Sequence, residues 1–421
     1  MAVTVLLLLL GLSSGVYCDE GVTRKLTVTR EYDACMDQLN DSTTCSSHQL
    51  GHVVSESAAD TLHVLVSLWA QPSVLLLHLP AAAPPPSIDW TLLTGANTTG
   101  AIQADQVLSS YGLSLDQLIA YDAPLLPQLI EFDDPEDTAD VTHANATSLR
   151  PFALDIVAPG AVVSNWTSTN DSGEQGGIHV RAPPLNASDW TAVGNVTFSV
   201  EVLDTSRRTD ELPHLQQTGT SAVASLVLDK LLTSSGYKHS RFGVQMTTVG
   251  NRSQSLQVIK SLDDEYTPGV FKLVSLSSSA TSAGYLQWRP VAYTAPEYII
   301  EHSTTARHYA VRAANATAAS PLLRAYFGER ALTHQLNVTF GLSEDGWYTD
   351  AKYSAWELTV GIGAPPEDEF SLMVILLLGF GLGPADRGAG RRRTVDGRPQ
   401  SARSRPLPDR GGSAPWGRVR P

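Results

Sequence analysis

All ten asparagines of the chain lie in Asn-x-Ser/Thr sequons, and none of these sequons has proline at its middle position. Chance alone would place about two of ten asparagines in such a motif. A glycosylated asparagine must face water in the secretory lumen, because its glycan is bulky and strongly hydrated. The sequence therefore predicts a folded domain with glycan acceptors on many faces: Asn40, Asn97, Asn145, Asn165, Asn170, Asn186, Asn195, Asn251, Asn315 and Asn337.

The N-terminus predicts entry into the secretory pathway. Residues 5–12 form a short apolar run that small residues follow, as in a secretory signal peptide. The run is too short to span a bilayer. Cleavage after Gly15 and cleavage after Cys18 both fit the pattern, and we predict a signal peptide over residues 1–18.

Runs of alternating apolar and polar residues recur through the middle of the chain and predict β-strands. Residues 195–203 place Val196, Phe198 and Val200 on one face and the sequon residue Asn195 on the other. The glycosylation and strand patterns therefore agree at this segment. The other predicted strands are residues 61–69, 74–79, 87–93, 242–248, 270–276, 285–293, 335–342 and 353–360.

Helical periodicity is rare by comparison. Residues 113–119 fit a short helix, and residues 221–232 fit a helix or a strand equally well. Many short strands between turn residues favour an antiparallel sandwich over an α/β sheet. The sequence therefore predicts an all-β, mainly antiparallel, sandwich-like luminal domain with few short helices, over residues 19–366 and with two subdomains as an option.

Charge separates the C-terminal tail from the rest of the chain. The formal net charge is −14, which argues against nucleic acid as a partner. Residues 385–421 nevertheless carry ten arginines against three aspartates, a net charge of +7. This Arg-, Pro- and Gly-rich tail has no apolar periodicity, and we predict that it is disordered.

Fourteen uncharged residues, 370–383, precede the tail and are typical of a shortened transmembrane segment. A helix of this length is shorter than the hydrocarbon core of about 30 Å, so insertion would be marginal. We predict a membrane segment over residues 367–384. The acids at 367–369 and the arginines at 391–393 would orient it as a type I span with a luminal N-terminal domain. If the segment fails to insert, the protein would be soluble in the lumen or secreted.

Two cysteines remain after removal of a signal peptide that ends at Cys18. Cys35 and Cys45 can close one small loop, and a secretory lumen is oxidising. A Cys35–Cys45 disulfide is therefore the preferred prediction, with free thiols or an intermolecular bond as alternatives.

Local catalytic and metal-binding motifs are missing from the sequence. It contains no H-E-x-x-H, C-x-x-C or Walker loop, and its one G-x-S-x-G lies inside the signal peptide. Asp263, Asp264 and Glu265 could bind a cation or act on a glycoside, but surface carboxylates far outnumber catalytic ones. We therefore expect no catalytic residue, no metal and no cofactor.

Aromatic residues near Arg289 leave two interpretations open. Tyr285, Trp288 and Tyr293 could line a site for a sugar or a protein partner by stacking. Aromatic residues on a strand belong more often to the core, which is the preferred interpretation.

Several segments resemble the glycosylated lysosomal membrane protein family in sequence, order and spacing. They are residues 261–271 (SLDDEYTPGVF), 284–293 (GYLQWRPVAY), 324–328 (RAYFG), 337–341 (NVTFG), 346–348 (GWY) and 353–356 (YSAW). The residues that carry the resemblance are Asp263, Asp264, Glu265, Tyr266, Gln287, Trp288, Arg289, Pro290, Phe327, Gly328, Trp347 and Trp356.

The resemblance implies a non-enzymatic type I glycoprotein of the lysosomal membrane. In that family the luminal domain acts as the accessory subunit of a lysosomal major-facilitator transporter and shields it from proteases. A homodimer is a further option. The chain departs from the family in its short apolar segment and its Arg-rich tail. A lysosomal or secreted hydrolase and a soluble secreted binding module are the alternative functions.

Overall fold

The computed structural model describes most of the region between the predicted signal peptide and the apolar segment. Apart from Val374, the described residues belong to one compact unit, residues 1–369, and residues 370–421 form a second unit. The predicted signal peptide, the predicted tail and nearly all of residues 370–383 lie outside the described residues. The described residues are 23–48, 50–67, 71–116, 128–143, 149–153, 167–169, 177–181, 185–186, 195–231, 233–260, 267–278, 283–315, 319–329, 332–368 and Val374.

Strands dominate the first unit. They are β1 (Lys25–Arg30), β2 (Leu50–Glu56), β3 (Asp60–Ser67), β4 (Ser73–Pro80), β5 (Ser87–Ile88), β6 (Ile102–Gln103), β7 (Ser109–Asp116), β8 (Gln128–Asp133), β9 (Leu149–Ala153), β10 (Thr167–Thr169), β11 (Gly177–Arg181), β12 (Leu185–Asn186), β13 (Asn195–Leu203), β14 (Ser221–Asp229), β15 (Ser240–Gly250), β16 (Ser255–Lys260), β17 (Lys272–Ser277), β18 (Gly284–Trp288), β19 (Val291–Tyr293), β20 (Ser303–His308), β21 (Arg312–Ala314), β22 (Leu332–Phe340) and β23 (Tyr353–Ile362).

The helices of the described residues are short. They are α1 (Glu31–Leu39), α2 (Ser42–Ser47), α3 (Trp90–Leu93) and α4 (Pro321–Phe327), with 3₁₀ turns at Val141–His143 and Ile300–His302. Within the described part of the chain, no helix combines the length and the apolar character that crossing a bilayer requires.

Most of the strands form two large antiparallel sheets, and β5 pairs with β6 in a separate two-stranded sheet. The first sheet has the order β1-β2-β3-β4-β7-β15-β22, and β20 and β21 pair with β22. The second sheet has the order β11-β13-β14-β23-β18-β17-β16. Strand β20 also pairs with β19, which pairs with β23 of the second sheet, so the two sheets are connected through this edge.

One hydrophobic core lies between the two sheets. The alternation predicted for residues 195–203 is present in β13, where Val196, Phe198 and Val200 are buried in this core. Trp288 and Trp356 meet edge to face in the same core, with their ring centroids 6.2 Å apart. The predicted all-β, mainly antiparallel sandwich is therefore confirmed.

The described parts of both segments that fit a helix are strands. The prediction of a helix at residues 113–119 is wrong for residues 113–116, because these end β7, in which Tyr111, Leu113 and Leu115 alternate towards the shared core. Residues 117–119 lie outside the described residues. Residues 221–232, for which helix and strand are both open, contain strand β14.

Two predicted strands are interrupted. Residues 87–93 form a strand only at 87–88, because the Asp89 carboxylate accepts a hydrogen bond from Leu92 N at 3.0 Å and begins helix α3. Residues 285–293 divide into β18 and β19 at Arg289 and Pro290, and proline has no N–H to donate to a strand pairing.

A helical layer covers the outer face of the first sheet. The disulfide between Cys35 and Cys45 joins α1 to α2, and both cysteines are buried. Leu65 and Leu77 of the sheet pack with Trp90 of α3 and with residues of α4 in a second hydrophobic cluster. The sequence analysis missed this layer, because its helices are too short to show helical periodicity.

The two sheets come into close contact at Tyr111 of β7 and Gly284 of β18. A Cβ atom on Gly284 would overlap the Tyr111 side chain near its own Cβ, where the side chain has no freedom to move. The amide of Gln254 donates to the Tyr111 hydroxyl and to the Gly284 carbonyl, each at 2.9 Å. Glycine is therefore required at this position by packing.

Replacing Gly284 by alanine should reduce the free energy of unfolding by about 1–3 kcal/mol, because the added methyl group forces the two sheets apart. Gly236→Ala is the matched control, since a Cβ at Gly236 has no neighbour within 4 Å. Urea denaturation of both variants measures the difference. Equal stability of the two variants would contradict the close packing of the sheets.

Candidate functional sites

Gln287 and Arg289, two of the residues that carry the family resemblance, bind the segment that precedes the apolar run at residues 370–383. The Gln287 side chain donates from Nε2 to the Pro366 carbonyl at 2.9 Å. Arg289 contacts the Asp368 carboxylate at 2.9 Å, and Arg208 contacts the same carboxylate at 3.3 Å. We call these five residues the C-terminal clamp.

Burial makes this clamp resistant to opening. The Arg289 side chain is 1% exposed and Asp368 is 12% exposed, so the pair is largely shielded from water. Removing one partner of a buried ion pair leaves the other charge without compensation, which is costly. The chain is therefore held at Asp368, two residues before the apolar run that begins at Phe370.

The aromatic family-like residues belong to the core. Trp288, Trp347 and Trp356 are each at most 2% exposed. Tyr285 and Tyr293 are equally buried, so in this structure the predicted alternative of a stacking site for a sugar or partner at Tyr285, Trp288 and Tyr293 has no accessible surface.

The other family-like residues fall in three places. Phe327 ends helix α4, and Gly328 follows it with a φ of 62°, a backbone conformation that glycine adopts without strain. Pro290 separates β18 from β19. The candidate carboxylates Asp263, Asp264 and Glu265 lie outside the described residues, as does Tyr266.

Several predicted glycan acceptors lie on the surface of the domain. Asn40, Asn97, Asn251 and Asn315 are exposed. Asn337 is half-buried on β22, and its side-chain oxygen accepts a hydrogen bond from Gln245 Nε2 at 2.9 Å. Asn186 and Asn195 lie in β12 and β13, whereas Asn145, Asn165 and Asn170 are outside the described residues.

An acidic cavity of about 480 Å³ lies on the outer face of the second sheet. Glu201 of β13 and Glu357 of β23 line it together with Tyr298 and Tyr353. Register explains part of this arrangement, because Glu357 lies opposite Ser225 of β14, which in turn lies opposite Ser199 of β13. The cavity could not be predicted from the sequence, since its carboxylates come from distant segments of the chain.

Two carboxyl groups of this cavity, those of Glu201 and Glu357, have raised pKa values. Burial, and then the charges of Glu201 and Glu211, raise the pKa of Glu357 to about 8. Burial also raises the pKa of Glu201. In an acidic lumen the Glu357 carboxyl is therefore neutral and able to donate a hydrogen bond. Among the described residues, no group of three or more His, Cys, Asp or Glu side chains could hold a metal ion.

Comparison with known proteins establishes the family. The model of the glycosylated lysosomal membrane protein family matches residues 49–385. The chain therefore belongs to the glycosylated lysosomal membrane protein family, whose name describes glycoproteins of the lysosomal membrane. The expected resemblance is confirmed.

Curated relatives carry the family name and match over most of their length. The glycosylated lysosomal membrane protein of Danio rerio is 28% identical over 344 residues, which cover 77% of each chain. The human protein of the same name is 27% identical over 341 residues, with 79% of each chain covered.

A solved structure of another class gives only a distant match. It is a mutant of the heparan sulfate lyase HepC from Pedobacter heparinus, with a TM-score of 0.27 and 9% identity. The match covers 73% of this chain and 36% of the lyase. Similarity at this level supports no conclusion about fold or activity.

Replacing Asp368 by asparagine should release residues 364–368 from the domain, because Arg208 and Arg289 lose the charge that compensates them. We expect faster amide hydrogen exchange in this segment and a loss of about 1–3 kcal/mol in the free energy of unfolding. Glu367→Gln is the control, since Glu367 is adjacent and exposed. Unchanged exchange in the Asp368 variant would contradict the role of the clamp.

The acidic cavity should make the protein more stable in acid. The folded state binds the Glu357 proton more tightly than the unfolded chain does, so this contribution is complete below pH 4.5 and is lost as the pH rises towards 8. Glu357→Gln should reduce the difference in unfolding free energy between pH 5 and pH 7.5 by roughly 1–3 kcal/mol.

Urea denaturation at pH 5 and pH 7.5 measures this difference. Asp210→Asn is the control, because the Asp210 carboxylate belongs to the same cavity but is 86% exposed. If Glu357→Gln keeps the pH dependence of the wild type, the carboxyl is not protonated by burial in the folded state.

Proposed function

We propose that this chain is a non-enzymatic accessory subunit that binds a lysosomal major-facilitator transporter and protects it from luminal proteolysis. The observation that carries the proposal is family membership over residues 49–385, together with glycan acceptors on the surface of a β-sandwich. The partner and the protection are inferred from the family resemblance and from the physical properties of the domain.

Glycans on this domain would hinder proteases by occupying space near the partner. Asn97, Asn251 and Asn315 are exposed in loops that lie outside the strands. Proteases also require local opening of the backbone, and strands paired on both sides open rarely. A glycosylated sandwich is therefore a suitable shield in a compartment rich in hydrolases.

The C-terminal clamp supports attachment close to the membrane. Asp368 is held against the sandwich by Arg208 and Arg289, and residues 370–383 follow almost immediately. If residues 370–383 insert as a type I span, little flexible chain separates the sandwich from the bilayer. The domain would then stay near the luminal loops of a transporter in the same membrane.

A lysosomal hydrolase is the alternative that one observation favours. Glu201 and Glu357 share a cavity, and both carboxyl groups have raised pKa values, as acids in glycoside hydrolases often do. Burial also raises the pKa of carboxyl groups that have no catalytic role. The raised pKa values are therefore weaker support for a hydrolase than family membership is for an accessory subunit. A soluble binding module is the form that the protein would take without membrane insertion.

Removal of the protein from cells should shorten the lifetime of the transporter in lysosomes. A pulse-chase of the co-purifying major-facilitator transporter measures this lifetime, with and without inhibitors of luminal proteases. We expect that protease inhibitors or re-expression of the wild-type chain restore the lifetime. A transporter lifetime that does not depend on this protein would contradict the proposal.

Two variants separate shielding from catalysis in the same cells. Combined replacement of Asn97, Asn251 and Asn315 by glutamine should weaken protection, because it removes surface glycans. Glu357→Gln should protect as well as the wild type does. Loss of protection only in the Glu357 variant, with normal abundance and glycosylation, would favour the hydrolase.

A further inference from the structure

A second cavity, of about 640 Å³, lies between the outer face of the first sheet and the helical layer. It is formed by strands β1, β2 and β3, helix α1, the loop at residues 81–88 and Trp90 of α3. Ligand pockets of proteins commonly have volumes of about 300–1,000 Å³. The cavity has therefore the size of a site for a small organic molecule.

A buried chain of three side chains ends at this cavity. Glu31 Oε1 contacts His52 Nδ1 at 2.7 Å, and His52 Nε2 contacts His63 Nδ1 at 2.9 Å. All three residues are at most 7% exposed. Within the described part of the chain, His63 Nε2 is left without a hydrogen-bond partner. We call Glu31, His52 and His63 the relay.

The strand register explains how the relay forms. His63 of β3 lies opposite Val54 of β2, so His52 is its diagonal neighbour on the same face of the sheet. Glu31 is the first residue of α1, which the Cys35–Cys45 disulfide fixes to α2. The carboxylate is therefore held over the two imidazoles by the helical layer.

The hydrogen positions of the relay follow from its connectivity. When Glu31 is ionised and both imidazoles are neutral, His52 donates from Nδ1 to the carboxylate and accepts at Nε2 from His63 Nδ1. His63 Nε2 then has no hydrogen and can only accept. A single added proton turns His63 Nε2 from an acceptor into a donor. Whether the proton is taken up by Glu31, His52 or His63, keeping both hydrogen bonds of the relay places a hydrogen on His63 Nε2.

A second proton is disfavoured. Two charged imidazoles would each carry a hydrogen at the His52–His63 contact, which would break that hydrogen bond. Burial, and then the charge of His52, lower the pKa of His63 to about 4. The connected relay therefore accommodates one added proton and not two.

The remaining walls of the cavity suit an uncharged ligand with an acceptor oxygen. Trp90 lines the cavity at 1% exposure, and its Nε1 donor has no partner among the described residues. Threonine hydroxyls, the side chain of Gln38 and the apolar residues of the segment at 81–88 also line the cavity.

Charge on the described walls is confined to four groups. The carboxylate of Glu31 and the two imidazoles belong to the relay, and Glu56 of β2 pairs with Lys25 of β1 at 3.4 Å. Helix α3 and the loop at 81–88 contribute no titratable group to the cavity. Because each carboxylate already faces a basic group, Glu31 the imidazole of His52 and Glu56 the amine of Lys25, the walls offer no excess positive charge to an anion. A neutral carbonyl group therefore fits better than a carboxylate.

We propose that this cavity binds a small amide-containing ligand through its carbonyl oxygen, and that uptake of one proton by the relay switches binding on. The acceptor oxygen would take the hydrogen of His63 Nε2, with Trp90 Nε1 as a second donor at the wall. An acetamido sugar and a short peptide both present this group. The binding requires neither a transporter nor membrane insertion.

Ligand-observed NMR with the full-length glycoprotein tests the proposal at pH 5 and pH 7.5. N-acetylglucosamine probes the acetamido sugar, and N-acetylglycinamide probes the peptide amide. We expect at least one probe to bind about tenfold or more tightly at pH 5, because the binding-competent fraction falls as the relay loses its proton. The probe that binds identifies the source of the amide.

Variants assign the pH dependence to the relay. His63→Gln should abolish the difference in affinity between the two pH values, because the side-chain amide of glutamine can donate to the ligand whatever the protonation of Glu31 and His52. His302→Gln is the matched control, since His302 does not line the cavity, and it should keep the full difference. Trp90→Phe should weaken binding at both pH values.

The measurements on the wild type decide the proposal even if a variant fails to fold. Absence of binding by both probes at high millimolar concentration would overturn it. Equal affinity at pH 5 and pH 7.5 would overturn the proton switch. Retention of the pH difference in a folded His63→Gln protein would also overturn it.

Discussion

The close contact between the two sheets at Tyr111 and Gly284 is the constraint on which the described structure depends. It lets β7 of the first sheet approach β18 of the second. Gln254 donates hydrogen bonds to Tyr111 of β7 and to Gly284 of β18. The inner faces of the two sheets pack against each other in one shared core, so the two cavities with charged side chains lie on the outer faces. The acidic cavity lies on the outer face of the second sheet, and the cavity that contains the relay lies on the outer face of the first.

The two outer cavities respond to acid in opposite directions. Protonation of Glu357 stabilises the folded state below its raised pKa of about 8. The lowered pKa of His63, about 4, has the reverse effect, since its stabilising contribution is complete above pH 6.5 and is lost as the pH falls towards 4.

Alternation was sufficient to predict the sandwich but not its sites. Strand β13 follows from the apolar residues at every second position. Residues 113–119, which include the end of β7, form a segment too short to distinguish the periods of a helix and a strand. The relay could not be predicted, since Glu31, His52 and His63 meet only through strand register and the docking of α1. The family resemblance marked Gln287 and Arg289, but only the structure shows that they bind Pro366 and Asp368.

The most direct test asks whether a glycosylated sandwich is held at the lysosomal membrane. The full-length chain, with a tag on its Arg-rich tail, is extracted from cell membranes with carbonate, and a parallel sample is digested with glycosidase. We predict a lysosomal protein that resists extraction, loses a large mass on deglycosylation and carries its tag on the cytosolic side. Release of the chain as a soluble protein without a glycan shift would contradict it.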